Sequence, residues 1–187
     1  LSRRLSVQYS IPEWMVETWL SSYPEETVEK MLSFMMEEHP TCIRFDPERI
    51  TKEEIKARLK EDGVEKVEDH PVLPYALWIS GYDYLGGLET FEEGLFYVQD
   101  ASSMMAVESL PVKKGDSIID VCAAPGGKAL HAAEKLAGTG HVDARDLTEY
   151  KVGLIEENIG RSGLTNISAR QQDARVGDVA SVETADI

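Results

Sequence analysis

The sequence predicts an α/β chain: the start of a doubly wound parallel sheet, preceded by a small α+β domain. Three observations carry this. From residue 117 onward, β-branched runs alternate with helix-forming runs, as in strand–helix units whose strands are parallel. The first of these runs, Ser117-Ile118-Ile119-Asp120-Val121, breaks into a small-residue loop with adjacent glycines, Gly126 and Gly127, before a helix-forming stretch. Before residue 110 the order is instead helices, strand, helix and short strands, with Pro and Gly at the joints. The boundary falls at 110/111, where Pro111 to Gly115 forms a polar, basic hinge. The second part is thus Rossmann-like, and it is expected to be truncated, because it completes fewer strands than a whole sheet of this kind holds.

Each element has its own signal. Ser10-Ile11-Pro12-Glu13 predicts a helix start, with Ser10 as cap and Glu13 closing a capping box, and Trp14, Met15, Thr18 and Trp19 share one face of that helix. Ser22 and Glu25 repeat the signal. Val28, Met31, Leu32, Met35 and Met36 then follow at helical spacing as a buried stripe, ended by His39-Pro40. Thr41 to Phe45 is a strand and Asp46-Pro47 a turn. Thr51 and Glu54 cap a third helix, with Ile55 and Leu59 inward and Gly63 as its stop. Val64 to Val67 and Ala76 to Ser80 are short strands, Tyr82 to Phe91 a loop, and Leu95 to Gln99 a strand, after which Ser102 caps a helix running to Leu110. Beyond the hinge come the strand Ser117 to Val121, the helix Ala129 to Leu136, and a strand from His141 that delivers Asp146. A helix from Glu149 to Ser162-Gly163 and the strand Ile167 to Gln171, closing on Asp173, complete the pattern, and a fourth strand is expected to begin at the chain's last residues, Thr184 to Ile187.

Composition limits the function classes. A hydrophobic share of 42% suits a folded core, and no apolar run reaches membrane-spanning length, so no membrane partner is expected. The two cysteines, Cys42 and Cys122, have no metal-type spacing, which predicts no metal site and fits a cytosolic chain with free thiols. The net charge of −15 opposes a phosphate backbone, and Arg3-Arg4 and Lys113-Lys114 are the only adjacent basic pairs. Charge alone favours a small-molecule enzyme.

Three ligand classes compete for the loop. A kinase-type phosphate loop would require Gly at 122 and Ser or Thr at 129, where Cys122 and Ala129 stand. A dinucleotide loop needs glycines at a spacing that is absent. S-adenosylmethionine remains, with a ribose, an adenine and an amino-acid tail but no phosphate. Asp146 lies about twenty residues past the glycines, the distance at which an acid takes ribose hydroxyls. Gly126 and Gly127 let the tail approach, and Lys128 can pair with an acid or with the tail's carboxylate. A tight turn without a ligand is the alternative for the loop, and a helix cap the alternative for Asp146.

Cys122-Ala123-Ala124-Pro125-Gly126-Gly127-Lys128 resembles the cofactor motif of the Sun family of RNA cytosine-5 methyltransferases. Glu93 to Met104 resembles that family's lead-in, and Tyr9 to Trp14 a segment near its start, so the resemblance spans nearly the whole chain. It implies methylation at C5 of a cytosine in ribosomal RNA (16S), with S-adenosylmethionine held by Cys122 to Lys128 and by Asp146, and with Asp173 at the adenine amino group. It also implies an RNA-facing module at residues 1–110. Arg44 is its candidate RNA contact, while Gln99-Asp100-Ala101-Ser102-Ser103 borders the cofactor and target-base pocket, with Gln99, Asp100 and Ser102 as candidate contacts. The family's Arg-x-Asn is here Arg44 followed by Asp46 in place of Asn.

Cytosine C5 is a weak nucleophile until a thiolate adds at C6. The resemblance puts that thiolate in a Thr-Cys pair well downstream of the loop, with a second cysteine in Asp-x-Pro-Cys, and Cys122 is the last cysteine here. The chain is therefore expected to be the first portion of such an enzyme, unable to methylate RNA alone, with Cys122 a small loop residue. The rival expectations are an inactive RNA-binding module and a methyltransferase for a non-RNA substrate. Nothing in the sequence indicates an oligomeric state.

Overall fold

The computed structural model describes all 187 residues, in two compact units, Leu1–His39 and Pro40–Ile187. The first unit is helical: α1 (Ser2–Tyr9), α2 (Glu13–Ser22) and α3 (Glu25–Met35) close on Leu5, Val16, Val28 and Leu32. Helix α1 has no counterpart in the sequence reading, since Leu5 is its one buried residue and its other positions are largely polar. Ser10 ends α1 in a left-handed conformation (φ 53°), its N–H donating to the Ser6 carbonyl, so it does not cap α2. Helices α2 and α3 instead follow Pro12 and Pro24 without a side-chain cap, the fixed proline φ (−53° and −59°) setting the entry. Ser22 is the last residue of α2 rather than a cap for α3. The expected stripe is buried only at Val28 and Leu32. Met35 and Met36 are 51% and 60% exposed because α3 ends there, and Trp14, at 67%, points away from Val16.

The second unit holds two sheets. In chain order, β1 (Thr41–Phe45), α4 (Lys52–Glu61), β2 (Lys66–Asp69), β3 (Ala76–Ser80), α5 (Glu89–Glu92) and β4 (Phe96–Val98) make an antiparallel sheet of order β2-β3-β1-β4. This is the ferredoxin-like arrangement, with its second helix reduced to the short α5. The Thr51–Glu54 capping box forms as expected and points Ile55 and Leu59 into a core with Ile43, Phe45, Leu77, Ile79 and Phe96. Strand β2 starts later than the sequence suggests, because Gly63 (φ 92°) and the Val64 N–H, bonded to the Leu59 carbonyl, still belong to the end of α4. A 3-10 turn at Leu85–Gly87 and α5 occupy most of the expected 82–91 loop.

Helix α6 (Ala101–Glu108) follows Asp100, and no side chain caps it, so Ser102 lies within its first turn instead of starting it. Its two faces serve two cores: Met104 clusters with Cys42, Leu73 and Ala76, and Val107 with Ala129, Ala132 and Ala133. Then β5 (Ser117–Asp120), α7 (Gly127–Lys135), β6 (His141–Asp146), α8 (Glu149–Ser162) and β7 (Ile167–Gln171) build a parallel sheet of order β5-β6-β7. Thr148 caps α8, and Gly163 (φ 69°) ends it. Asp186 N–H donates to the Ser117 carbonyl, and Ile119 N–H to that of Ile187, so residues 186–187 run along the free edge of β5. No helix is long and apolar enough to cross a membrane.

Candidate functional site

The cofactor-type loop is held by β6. Asp120, at the end of β5, accepts the Cys122 N–H through Oδ1 (3.1 Å), and the Ala123 N–H donates to the Arg145 carbonyl (2.9 Å). The Ala124–Pro125 peptide is cis, and Gly126 turns the chain into α7 at φ 112°, a conformation that side chains resist. Asp146 is buried at the end of β6. Its Oδ2 accepts the Ala124 N–H (3.0 Å) and its Oδ1 the Leu147 N–H (2.8 Å), with Lys151 Nζ at 3.1 Å. Burial disfavours its charge, but the two amides and the ammonium outweigh burial and hold the carboxyl below its usual range. Oδ1 has two partners, but Oδ2 keeps a lone pair, so Asp146 can brace the loop and still accept a hydroxyl hydrogen. Asp120 shifts the other way: burial raises its pKa and Asp146 adds to the rise, against the Cys122 amide and Lys128.

A cavity of about 210 Å³ opens beside the loop, lined by Val98, Gln99, Asp100, Ser103, Asp120, Cys122, Ala123, Ala124, Pro125, Gly127 and Lys128. Whole-ligand pockets run to roughly 300–1,000 Å³, so this one suits one end of a ligand. The structure thus gathers most of the expected loop residues with Gln99 and Asp100. Of the two expected serines, Ser103 lines the cavity and Ser102 does not, a consequence of α6 starting earlier. Asp146 reaches the site through Ala124. Asp173 lies past the end of β7, paired with Arg175 (2.7 Å), whose guanidinium and amide hold its carboxyl low. The donors of α7 and Gln99 and the acids Asp120 and Asp146 fit the amino-acid tail and ribose of S-adenosylmethionine. No cluster of three His, Cys, Asp or Glu side chains has metal-holding geometry.

Arg44 is not a surface residue, which corrects the expectation of a direct RNA contact. It is fully buried, because its guanidinium ion-pairs with Glu134, donates to Gln99 Oε1 (2.7 Å) and lies 4.8 Å over the Tyr97 ring. Of the adjacent basic pairs, Arg4 is taken up by Glu25 and Glu29. Thr41-Cys42, the chain's one Thr-Cys pair, sits in β1 with its thiol buried and its pKa raised by burial, whereas Cys122 is exposed.

Sequence reasoning missed Glu134 and His131 on α7. Both face inward from a helix whose alanines signal only packing. His131 Nε2 lies 3.3 Å from Glu108, which also accepts from Tyr75 and Lys135. Burial first, and the Arg44 cation second, push the His131 pKa down from 6.5 to about 3, with Glu108 opposing. Between those values the unfolded chain takes a proton that the folded chain refuses. Stability is therefore complete above pH 6.5 and declines as pH falls toward 3. By pH 5 the loss is about 2 kcal/mol. Urea unfolding at pH 7.5 and pH 5 should register it, and His131→Gln should remove it. An equal acid loss in the variant would refute this assignment.

Comparisons with known proteins add the following. Residues 11–82 match the family described as the RsmF/B-like methyltransferase ferredoxin-like domain, and residues 107–186 match that of the 16S rRNA methyltransferase RsmB/F. The chain is 33% identical to the probable ribosomal RNA small subunit methyltransferase B of Bacillus subtilis (strain 168), over 92% of this chain and 38% of that protein. It is 43% identical to the tRNA (cytosine(72)-C(5))-methyltransferase of Pyrococcus horikoshii, over 49% of this chain and 23% of that one. The crystal structure of PH0851 superposes with a TM-score of 0.82 and 28% identity, covering 99% of this chain and 42% of that one. The chain spans about two fifths of the length of the first curated relatives it matches.

Proposed function

Because the chain belongs to the RsmB/Sun family of RNA cytosine-5 methyltransferases, we propose that it forms the cofactor-binding part of an enzyme that methylates C5 of a cytosine in small-subunit (16S) ribosomal RNA, in the cytoplasm. The observation that carries this reading is Asp146: it ends β6 with its carboxylate bonded to the loop amide of Ala124, so an acid for a ribose and a turn for an amino-acid tail are built as one piece. S-adenosylmethionine, when bound, supplies an electrophilic methyl group. Asp146 accepts a ribose hydroxyl, Asp173 accepts from the adenine amino group, and the loop through Lys128 holds the tail. Residues 1–110 face the RNA, and 111–187 hold the cofactor.

Adding a thiolate at cytosine C6 falls to neither cysteine here: Cys42 is buried in β1, and Cys122 serves the loop through its amide. These residues alone therefore bind cofactor without transferring its methyl group, and 5-methylcytosine formed by this chain from labelled cofactor would contradict that. Calorimetric titration with S-adenosylmethionine tests the core of the proposal. Wild type should bind, and Asp146→Ala should weaken binding at least about tenfold, as expected for hydrogen bonds to a charged acceptor. Absence of binding by wild type at millimolar cofactor would overturn it. The net charge of −15 and the burial of Arg44 favour a second reading, a non-RNA methyl acceptor. Steeply salt-dependent RNA binding would count against that second reading.

A further inference from the structure

We infer that Arg44 is a positioning residue for the cofactor's amino-acid tail: through Gln99 it aims a carboxamide N–H at the tail's carboxylate beside the start of α7. This rests on the cofactor reading above and adds to it a residue from the antiparallel sheet. Arg44 faces Tyr97 across the β1–β4 pair, and Gln99 follows β4, its own N–H donating to the Cys42 carbonyl (3.1 Å). Arg44 Nε donates to Gln99 Oε1 at 2.7 Å. A guanidinium has donors only, so this bond decides which end of the carboxamide faces it. The oxygen turns to Arg44, and Nε2 turns away.

That Nε2 is buried without a protein acceptor, on a side chain of a residue only 6% exposed. An unpartnered buried donor is costly to keep. Its surroundings say what it meets. Gln99 and Gly127 line the same cavity, and a Cβ added at Gly127 would lie 3.8 Å from Nε2. The first N–H groups of α7 have no partner within the helix, and Lys128 lines the cavity too. Three kinds of donor on one wall call for an anion, while Asp120 in the same cavity suits an ammonium. A carboxylate and an ammonium side by side are the end of an α-amino acid. Glu134, which holds Arg44, is itself on α7, so one arginine ties the donor and the helix together.

The test is calorimetric titration with S-adenosylmethionine and with its decarboxylated analogue, which keeps the ammonium and lacks the carboxylate. Wild type should prefer the carboxylate form at least about tenfold. Gln99→Leu and Gln99→Glu should lose that preference while binding the decarboxylated form no worse than wild type. A preference at the wild-type level in Gln99→Leu overturns the inference. In the Glu134→Met background, Arg44→Met should lose the same preference, and adding Gln99→Leu should cost nothing further. A further, additive loss would mean that Arg44 does not act through Gln99. Binding of neither compound by wild type would instead bring down the cofactor reading itself, a result separable from loss of preference alone.

Discussion

Arg44→Met is expected to lower the unfolding free energy by about 3–5 kcal/mol, the cost of leaving one member of a buried ion pair without its partner. The side chains of Arg44 and Glu134 are 1% and 8% exposed, so water cannot stand in for the lost guanidinium. Gln99 loses its donor in the same substitution. A folded domain has only about 5–15 kcal/mol to lose, so the shift in urea midpoint should be large. Arg44→Met/Glu134→Met removes both charges and should recover most of the loss, since apolar pairs of similar volume often replace buried ion pairs at little cost. A double variant no more stable than the single one would mean that Arg44 supports the fold by its packing on Tyr97 and not by its charge.

The same residue shows where sequence reading stops. Arg44 was expected at a surface because charged side chains are seldom fully buried unless paired, and its partner lies 90 residues away with no local signal linking them. Features fixed by neighbours in sequence were legible. Thr41–Phe45, Ala76–Ser80 and Ile167–Gln171 form strands with the expected bounds, and Thr51 with Glu54 makes the expected capping box. The loop from Cys122 to Lys128 was equally legible, because a strand end, two glycines and a helix start are all local. Ser10 and Ser22 carried the same capping letters as Thr51, yet the prolines that follow them set the helix starts two residues later. Of Ser102 and Ser103, both expected at the cavity, only Ser103 lines it, because the start of α6 is decided by packing on two cores at once, which no single face of the helix announces.

Gly94→Ala should be destabilising by about 3 kcal/mol or more, from two separable causes. Gly94 has φ 65°, where an L-residue costs about 1–2 kcal/mol. A Cβ there would also run into the backbone carbonyl of Arg161, near the end of α8. Neither side yields easily. Arg49 donates to the carbonyls of both Gly94 (3.0 Å) and Ser162 (2.7 Å), and Arg161 donates to the Phe91 carbonyl (2.9 Å) with its guanidinium 3.8 Å over the Phe91 ring. Gly63→Ala supplies the control: its φ is 92°, and a Cβ there meets nothing within 4 Å, so it carries the conformational cost alone. Urea unfolding of the two variants should differ by the cost of the collision. Equal losses would mean that the end of α8 moves aside freely. A real difference makes this contact a rigid joint between the turn that leads into β4, and so to Gln99, and the helix that follows Asp146, so the two sides of the cofactor site are held at one spacing by backbone contact.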